Sequence, residues 1–181
     1  MNRFRIYVSF LLPFLSALLI VVSCTDKEQQ TALESEVTKI DAYVESKVNS
    51  GQSVVISGGS SRIILDDGAD IPVEKGDSVY LNYAGYIFNG GLGTIFDTNM
   101  ESLSSKIGID IYNRGFNAGK VVVGKGELLK GLELGLIGAK KGEHSYIVFP
   151  STMGYGNEKK GVVPPMSSLI FEIWILNIVK N

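Results

Sequence analysis

Cysteine occurs once in this 181-residue chain, and so does histidine. A single thiol, Cys24, cannot close an intrachain disulfide or build a Cys-type zinc set. A lone His144 leaves a histidine metal centre or a Ser-His dyad without partners, and its place after KKGE predicts an exposed edge residue of a strand. Charge of neither sign dominates: 17 Lys and Arg stand against 19 Asp and Glu, a net charge of −2 with no basic cluster. That argues against a nucleic-acid partner. The segment GKGELLKG has the glycines of a phosphate loop but lacks its Gly-Lys-Ser/Thr ending, so these glycines read as turn residues opening a helix. NGGLG likewise reads as a hairpin loop. Asp97 and Glu127 are two carboxylates whose spacing in sequence fixes no distance between them. Nucleophile, metal cluster and dinucleotide fingerprint are all missing, and no metal or cofactor is implied.

The chain begins MNRFRIYVSFLLPFLSALLIVVSC. Two arginines, then an uncharged apolar run over residues 6–22, then small residues are features of a secretory signal. Seventeen residues at 1.5 Å each reach only about 26 Å, short for a membrane-spanning helix, and Pro13 weakens that reading further. Cys24 directly after Val-Val-Ser resembles the bacterial lipobox, which implies a lipoprotein signal peptide over 1–23 and lipidation at Cys24. The protein is then expected in the cell envelope, anchored by lipid to a bacterial membrane and facing the periplasm or exterior.

TDKEQQT reads as a tether. Leu33, Val37, Ile40, Val44 and Val48 then recur at helical spacing among charged residues, which predicts an amphipathic helix of about four turns. Tether and helix together fill residues 24–56, and SGGSS (57–61) reads as a flexible break. Beyond it, glycine punctuates short alternating segments. Residues 62–65 form a strand, and in the next one Val79, Leu81 and Tyr83 share a face while Tyr80, Asn82, Ala84 and Tyr86 share the other. Further strands are expected from 120, over 144–149 and over 169–178. One short helix carries Leu129, Leu132 and Leu136 inward and ends near Gly138. The predicted fold is α+β, an antiparallel twisted half-barrel sheet wrapped around one short helix, with the amphipathic helix N-terminal to it.

Tyr83, Phe96, Tyr155, Val162, Val163 and Phe171 lie at strand ends beside glycine turns. Together they suggest an apolar concavity with a few polar groups, the usual form of a small-ligand or peptide side-chain pocket. Prolyl isomerisation needs neither proton transfer nor a covalent intermediate, because its barrier of about 18–20 kcal/mol is lost amide resonance.

GDSVYLNYAGYIFNG, GTIFDTN, VVVGKGELLKGLELGLIGAKKGE, PSTMGYG and VVPPMSSLIFEIWILNI occur in that order. They resemble successive motifs of the FKBP-type peptidyl-prolyl isomerases, which places a domain of that kind within 57–181. The resemblance implies catalytic roles for Tyr83, Phe96, Asp97, Leu129, Tyr155 and Phe171, with Leu128, Leu132, Val162 and Val163 contacting substrate. It also implies that the Leu129 N–H and the Tyr155 hydroxyl hold substrate carbonyls, and that Val162 to Pro165 form the pocket's lip. Between Asp97 and Val121 the chain is longer than the minimal family domain. A family pocket aromatic falls in simple register at Gly119, with Phe116 nearby as its replacement. Proline-containing polypeptide clients and macrolide inhibitors are the implied partners, and isomerisation of exported proteins the implied function. The enlarged 98–120 segment suggests the alternative, a catalytically weak binding or chaperone module of an envelope assembly.

Overall fold

The computed structural model describes the backbone of residues 5–69, 71–107 and 119–181, and side chains over 27–69, 71–105 and 119–181. Phe116 lies outside the described residues, as do the side chains of the expected leader and Cys24. The chain divides into two compact units, residues 1–35 and 36–181. Helix α1 (Arg5–Asn49) runs through the first and ends in the second. In the first unit, helical neighbours meet at i and i+4: Gln30 Nε2 donates to Glu34 Oε1 at 3.3 Å, and Thr31 Oγ1 to the Lys27 carbonyl at 2.9 Å.

The second unit is built on one sheet. After α1 come β1 (Ser53–Ser57), β2 (Ser60–Asp66), β3 (Ser78–Phe88), β4 (Leu92–Thr98), α2 (Glu101–Ile107), β5 (Gly119–Val122), α3 (Lys130–Leu136), β6 (His144–Phe149) and β7 (Leu169–Val179). The strands order as β1-β2-β6-β7-β3-β4, with β5 also paired to β3, and every pairing is antiparallel. The architecture is thus the expected α+β arrangement of an antiparallel sheet on a short helix.

Period-two alternation gives the sheet two buried faces. On one, Val79 and Leu81 of β3, Ile147 and Phe149 of β6, and Phe171, Ile173 and Ile175 of β7 pack with Leu132 and Leu136 of α3. On the other, Ile63, Val148, Ile170 and Phe88 take Ile40 and Val44 from the end of α1. Tyr43 meets Phe88 edge-on at 5.3 Å, and burial, helped by the neighbouring Tyr146, pushes its phenol up to about 12. Each fully buried aliphatic side chain contributes about 1.5–3 kcal/mol.

Four expectations are corrected. TDKEQQT is not a tether, because α1 runs from Arg5 to Asn49 and takes these residues into its helix. The stripe on α1 is narrower than its spacing predicts: Val37 and Val48 are 40% and 52% exposed, because the sheet offers the helix apolar partners over little more than one turn around Ile40 and Val44. SGGSS is not a flexible break. Gly58 and Gly59, with φ of 55° and 93°, make the two-residue turn of the β1–β2 hairpin, in which Ser57 pairs with Ser60. β1 therefore belongs to the sheet although it falls in the stretch read as tether and helix. His144 is not on an edge, since β6 lies between β2 and β7. Its ring stacks on Trp174 at 4.8 Å and its Nε2 lies 2.9 Å from Glu172 Oε1.

Two features fix α3 on the sheet. Gly131 and Gly135 let its backbone approach β6, where Phe149 and Ile147 occupy the space a Cβ would need. At its far end the Arg62 guanidinium donates to the Gly135 and Ile137 carbonyls at 3.3 Å each. Arg62 also meets Glu143 charge to charge at 3.3 Å, with the two side chains 3% and 1% exposed. Burial presses the guanidinium below its ordinary value, and the Glu143 charge opposes that.

Candidate functional site

One end of the α3 face opens into a hollow of about 470 Å³. Leu81 and Tyr83 reach it from β3, Asp97 from β4, and Gly119 and Val121 from β5. The segment before α3 adds Glu127, Leu128 and Leu129; Leu132, Tyr155 and Phe171 complete the lining. The lining is mainly apolar, as ligand hollows usually are.

Phe96 and Asp97 are consecutive, so a regular strand would turn them to opposite faces. The register prevents this: Gly85 pairs with Asp97 but the next residue, Tyr86, pairs with Ile95, which leaves Phe96 as an extra residue. A bulge of this kind re-aims side chains. The Phe96 ring packs edge-on to Tyr155 at 6.1 Å and to Phe171 at 5.7 Å, while Asp97 lines the hollow.

The Tyr83 hydroxyl donates to Asp97 Oδ2 at 3.0 Å, and Asp97 Oδ1 accepts the Thr98 N–H at 3.0 Å. Side chains replace a strand partner along this part of β3. Asn99 accepts the Tyr83 N–H at 2.8 Å and donates to the Leu81 carbonyl at 3.0 Å, and Thr98 Oγ1 donates to the Tyr83 carbonyl at 2.7 Å. These bonds fill the interval between the β4 and β5 pairings with β3, where an unpaired amide would be costly.

Leu129 packs against the core as expected but is the N-cap of α3, with φ −57° and ψ 140°, one residue before the helix begins. The opening N–H groups of a helix have no carbonyl partner inside it, and Leu129 itself lines the hollow. Glu127 carries a structural bond, because its Oε2 accepts the Val122 N–H at 2.9 Å. It and Asp97 share the hollow, but each is held by donors of the protein itself.

Phe171, 4% exposed, forms the floor and stacks on Phe149 at 5.9 Å and 12°. Tyr83 leans over it at 6.3 Å. Tyr83, Asp97, Leu129, Tyr155 and Phe171, drawn from five parts of the chain, thus gather at one place, with Leu128 and Leu132 beside them. Val162 and Val163 do not. Val162 is 64% exposed and outside the lining, and Val163, 1% exposed, is buried in the core, so the expected lip is not formed by these two residues. Neighbours in an irregular loop have no period from which to read their direction. Leu81 and Val121 line the hollow without having been singled out. Leu81 carried a signal in its place on the same strand face as Tyr83, whereas Val121 carried none.

A family model described as FKBP-type peptidyl-prolyl cis-trans isomerase matches residues 69–176. FK506-binding protein of Neisseria meningitidis serogroup B is 30% identical over 115 residues, covering 63% of this chain and 91% of that protein. FK506-binding protein 5 of Dictyostelium discoideum is 33% identical over 111 residues, which is 61% of this chain but only 6% of the longer protein. The solved N-terminal domain of FKBP42 from Arabidopsis thaliana superposes with a TM-score of 0.55 at 20% identity, over 71% of this chain and 93% of that domain, a likeness of fold.

Proposed function

This chain belongs to the FKBP-type peptidyl-prolyl cis-trans isomerase family, and we propose that its hollow accelerates rotation about Xaa-Pro bonds. The observation that carries the proposal is the gathering of Tyr83, Asp97, Leu129, Tyr155 and Phe171 around one apolar cavity. A planar prolyl amide is strongly dipolar and well solvated, whereas the half-rotated amide has lost resonance and with it much of its need for water. A hollow poor in water therefore favours the rotated form, which is differential binding of the transition state. Phe171 receives the proline ring. The Leu129 N–H and the Tyr155 hydroxyl hold the flanking carbonyls, and the Tyr83–Asp97 pair presents a fixed dipole to the turning amide.

The test is the cis-to-trans rate of short Xaa-Pro peptides. The protein is expected to raise it well above the spontaneous rate, and Tyr155→Phe to lower kcat/KM about tenfold, the value of one hydrogen bond of about 1.4 kcal/mol. A rate equal to the uncatalysed one defeats the reading. An FK506-type macrolide, the ligand in the names of several relatives, should raise the melting temperature by occupying the same cavity.

The clients we assign are exported polypeptides whose folding waits on slow X-Pro bonds, with the enzyme held at a membrane by lipid on Cys24. The support is the basic start, the apolar run and Val-Val-Ser-Cys. Cys24→Ala is expected to release or misprocess the protein in membrane fractionation. Unchanged retention would instead point to an uncleaved helix.

A further inference from the structure

We propose that Glu36, on α1 and outside the 69–176 family match, is a positioning residue that clamps the loop carrying Tyr155. Three donors converge on its carboxylate. Oε2 accepts the Ser151 N–H at 2.7 Å and the Ser168 hydroxyl at 2.8 Å, and Oε1 accepts the Ser151 hydroxyl at 2.9 Å. Ser151 and Ser168 are 0% and 7% exposed and stand at the two ends of the irregular segment between β6 and β7. One side chain thus joins both ends of the segment that holds Tyr155 between Gly154 and Gly156.

The clamp reaches Tyr155 through the backbone. The Ser151 carbonyl accepts the Gly154 N–H at 2.9 Å and the Gly156 N–H at 2.8 Å, so the placing of Ser151 sets both neighbours of Tyr155. From the other end, the Met166 N–H donates to the Gly156 carbonyl at 2.8 Å, and Met166 takes φ 53°, the one positive φ at a non-glycine among the described residues. A strained residue persists where its surroundings over-determine it. The Ser168 carbonyl accepts the Phe88 N–H at 2.9 Å, which ties this end of the segment to β3. Without Glu36 the buried Ser151 N–H and Ser168 hydroxyl would lose their acceptor, the Ser151 hydroxyl would keep only the weak sulfur acceptor of Met166 at 3.9 Å, and the segment would relax to satisfy them. Charged acceptors make the stronger hydrogen bonds, so a carboxylate suits the position better than an amide.

The kinetic consequence rests on the isomerase reading; the mechanical one does not, and one experiment separates them. Amide hydrogen exchange is measured by NMR on the full chain, on Glu36→Ala and on the volume-conserving Glu36→Gln, alongside peptide kinetics. Exchange at Gly154, Gly156 and Met166 is expected to rise tenfold or more in Glu36→Ala and less in Glu36→Gln, with Ile147 and Ile173 in the sheet unchanged. kcat/KM for Xaa-Pro peptides falls about fivefold, carried by KM, because Tyr155 still reaches the substrate but is held less well. Unchanged exchange at the three loop amides overturns the clamp. So does an equal rise at loop and sheet amides, which would make Glu36 a contributor to global stability only. If the loop amides loosen while the unaltered protein shows no isomerase activity, the clamp stands and the isomerase reading falls.

Discussion

Gly131→Ala is expected to cost about 3 kcal/mol of stability, although alanine is the better helix former by about 1 kcal/mol. Gly131 sits in α3 against β6, and an added Cβ would lie 2.1 Å from Phe149 Cγ and 2.4 and 2.5 Å from the two Cδ atoms. None of these is the end of a flexible chain. The Phe149 ring is fully buried and stacked on Phe171, so it yields only by pushing on the floor of the hollow. Stability and function are therefore expected to fail together. The urea midpoint drops, and the fraction that remains folded binds proline-containing peptides less well. Trp174, on the opposite face of the sheet from Phe171, reports unfolding without itself lining the cavity. A loss below about 1 kcal/mol would mean that α3 can lift away from β6 at little cost, contrary to a close-packed interface.

The second large effect belongs to Arg62 and Glu143. Arg62→Met or Glu143→Leu alone is expected to cost about 3–5 kcal/mol, because each strands a buried charge. Arg62→Met also removes the donor to the Gly135 and Ile137 carbonyls, and Glu143→Leu the acceptor for the Lys140 N–H at 3.1 Å. The double variant is expected to recover the part of the loss that comes from stranding a charge, since two apolar side chains of similar volume carry no charge to desolvate. It does not restore the bonds to the Gly135 and Ile137 carbonyls and the Lys140 N–H. A urea-denaturation cycle over the four proteins measures the coupling. Additive single losses would show that the charges do not depend on each other, and that the ion pair is incidental to the bonds each makes with the backbone.

How much of this was legible in the sequence depended on whether a residue carries its signal locally. The alternation of Val79, Leu81 and Tyr83 announced β3 and its inward face. The ordered motifs through Tyr83, Asp97, Leu129, Tyr155 and Phe171 named most of the hollow, though by resemblance rather than by any derivable distance. β1 escaped because SVVIS is short and was followed by two glycines, which mark a tight turn as readily as a loose joint. Gly131 and Gly135 escaped because close approach is signalled by the absence of a side chain. The Arg62–Glu143 pair and the reach of Glu36 to Ser151, 115 residues on, depend on tertiary placement that no local pattern encodes. Val162 sits in an irregular loop, which specifies no direction for its side chain.

The strand order has a temporal meaning. β7 lies in the middle of the sheet, bonded to β6 on one side and β3 on the other, yet among the strands it is synthesised last. A polypeptide emerging N-terminus first can close the β1–β2 and β3–β4 hairpins early, but the two halves of the sheet stay unjoined until residues 169–179 arrive. Until then the edges of β3 and β6 are open and sticky. Its own topology thus obliges this sheet to close late.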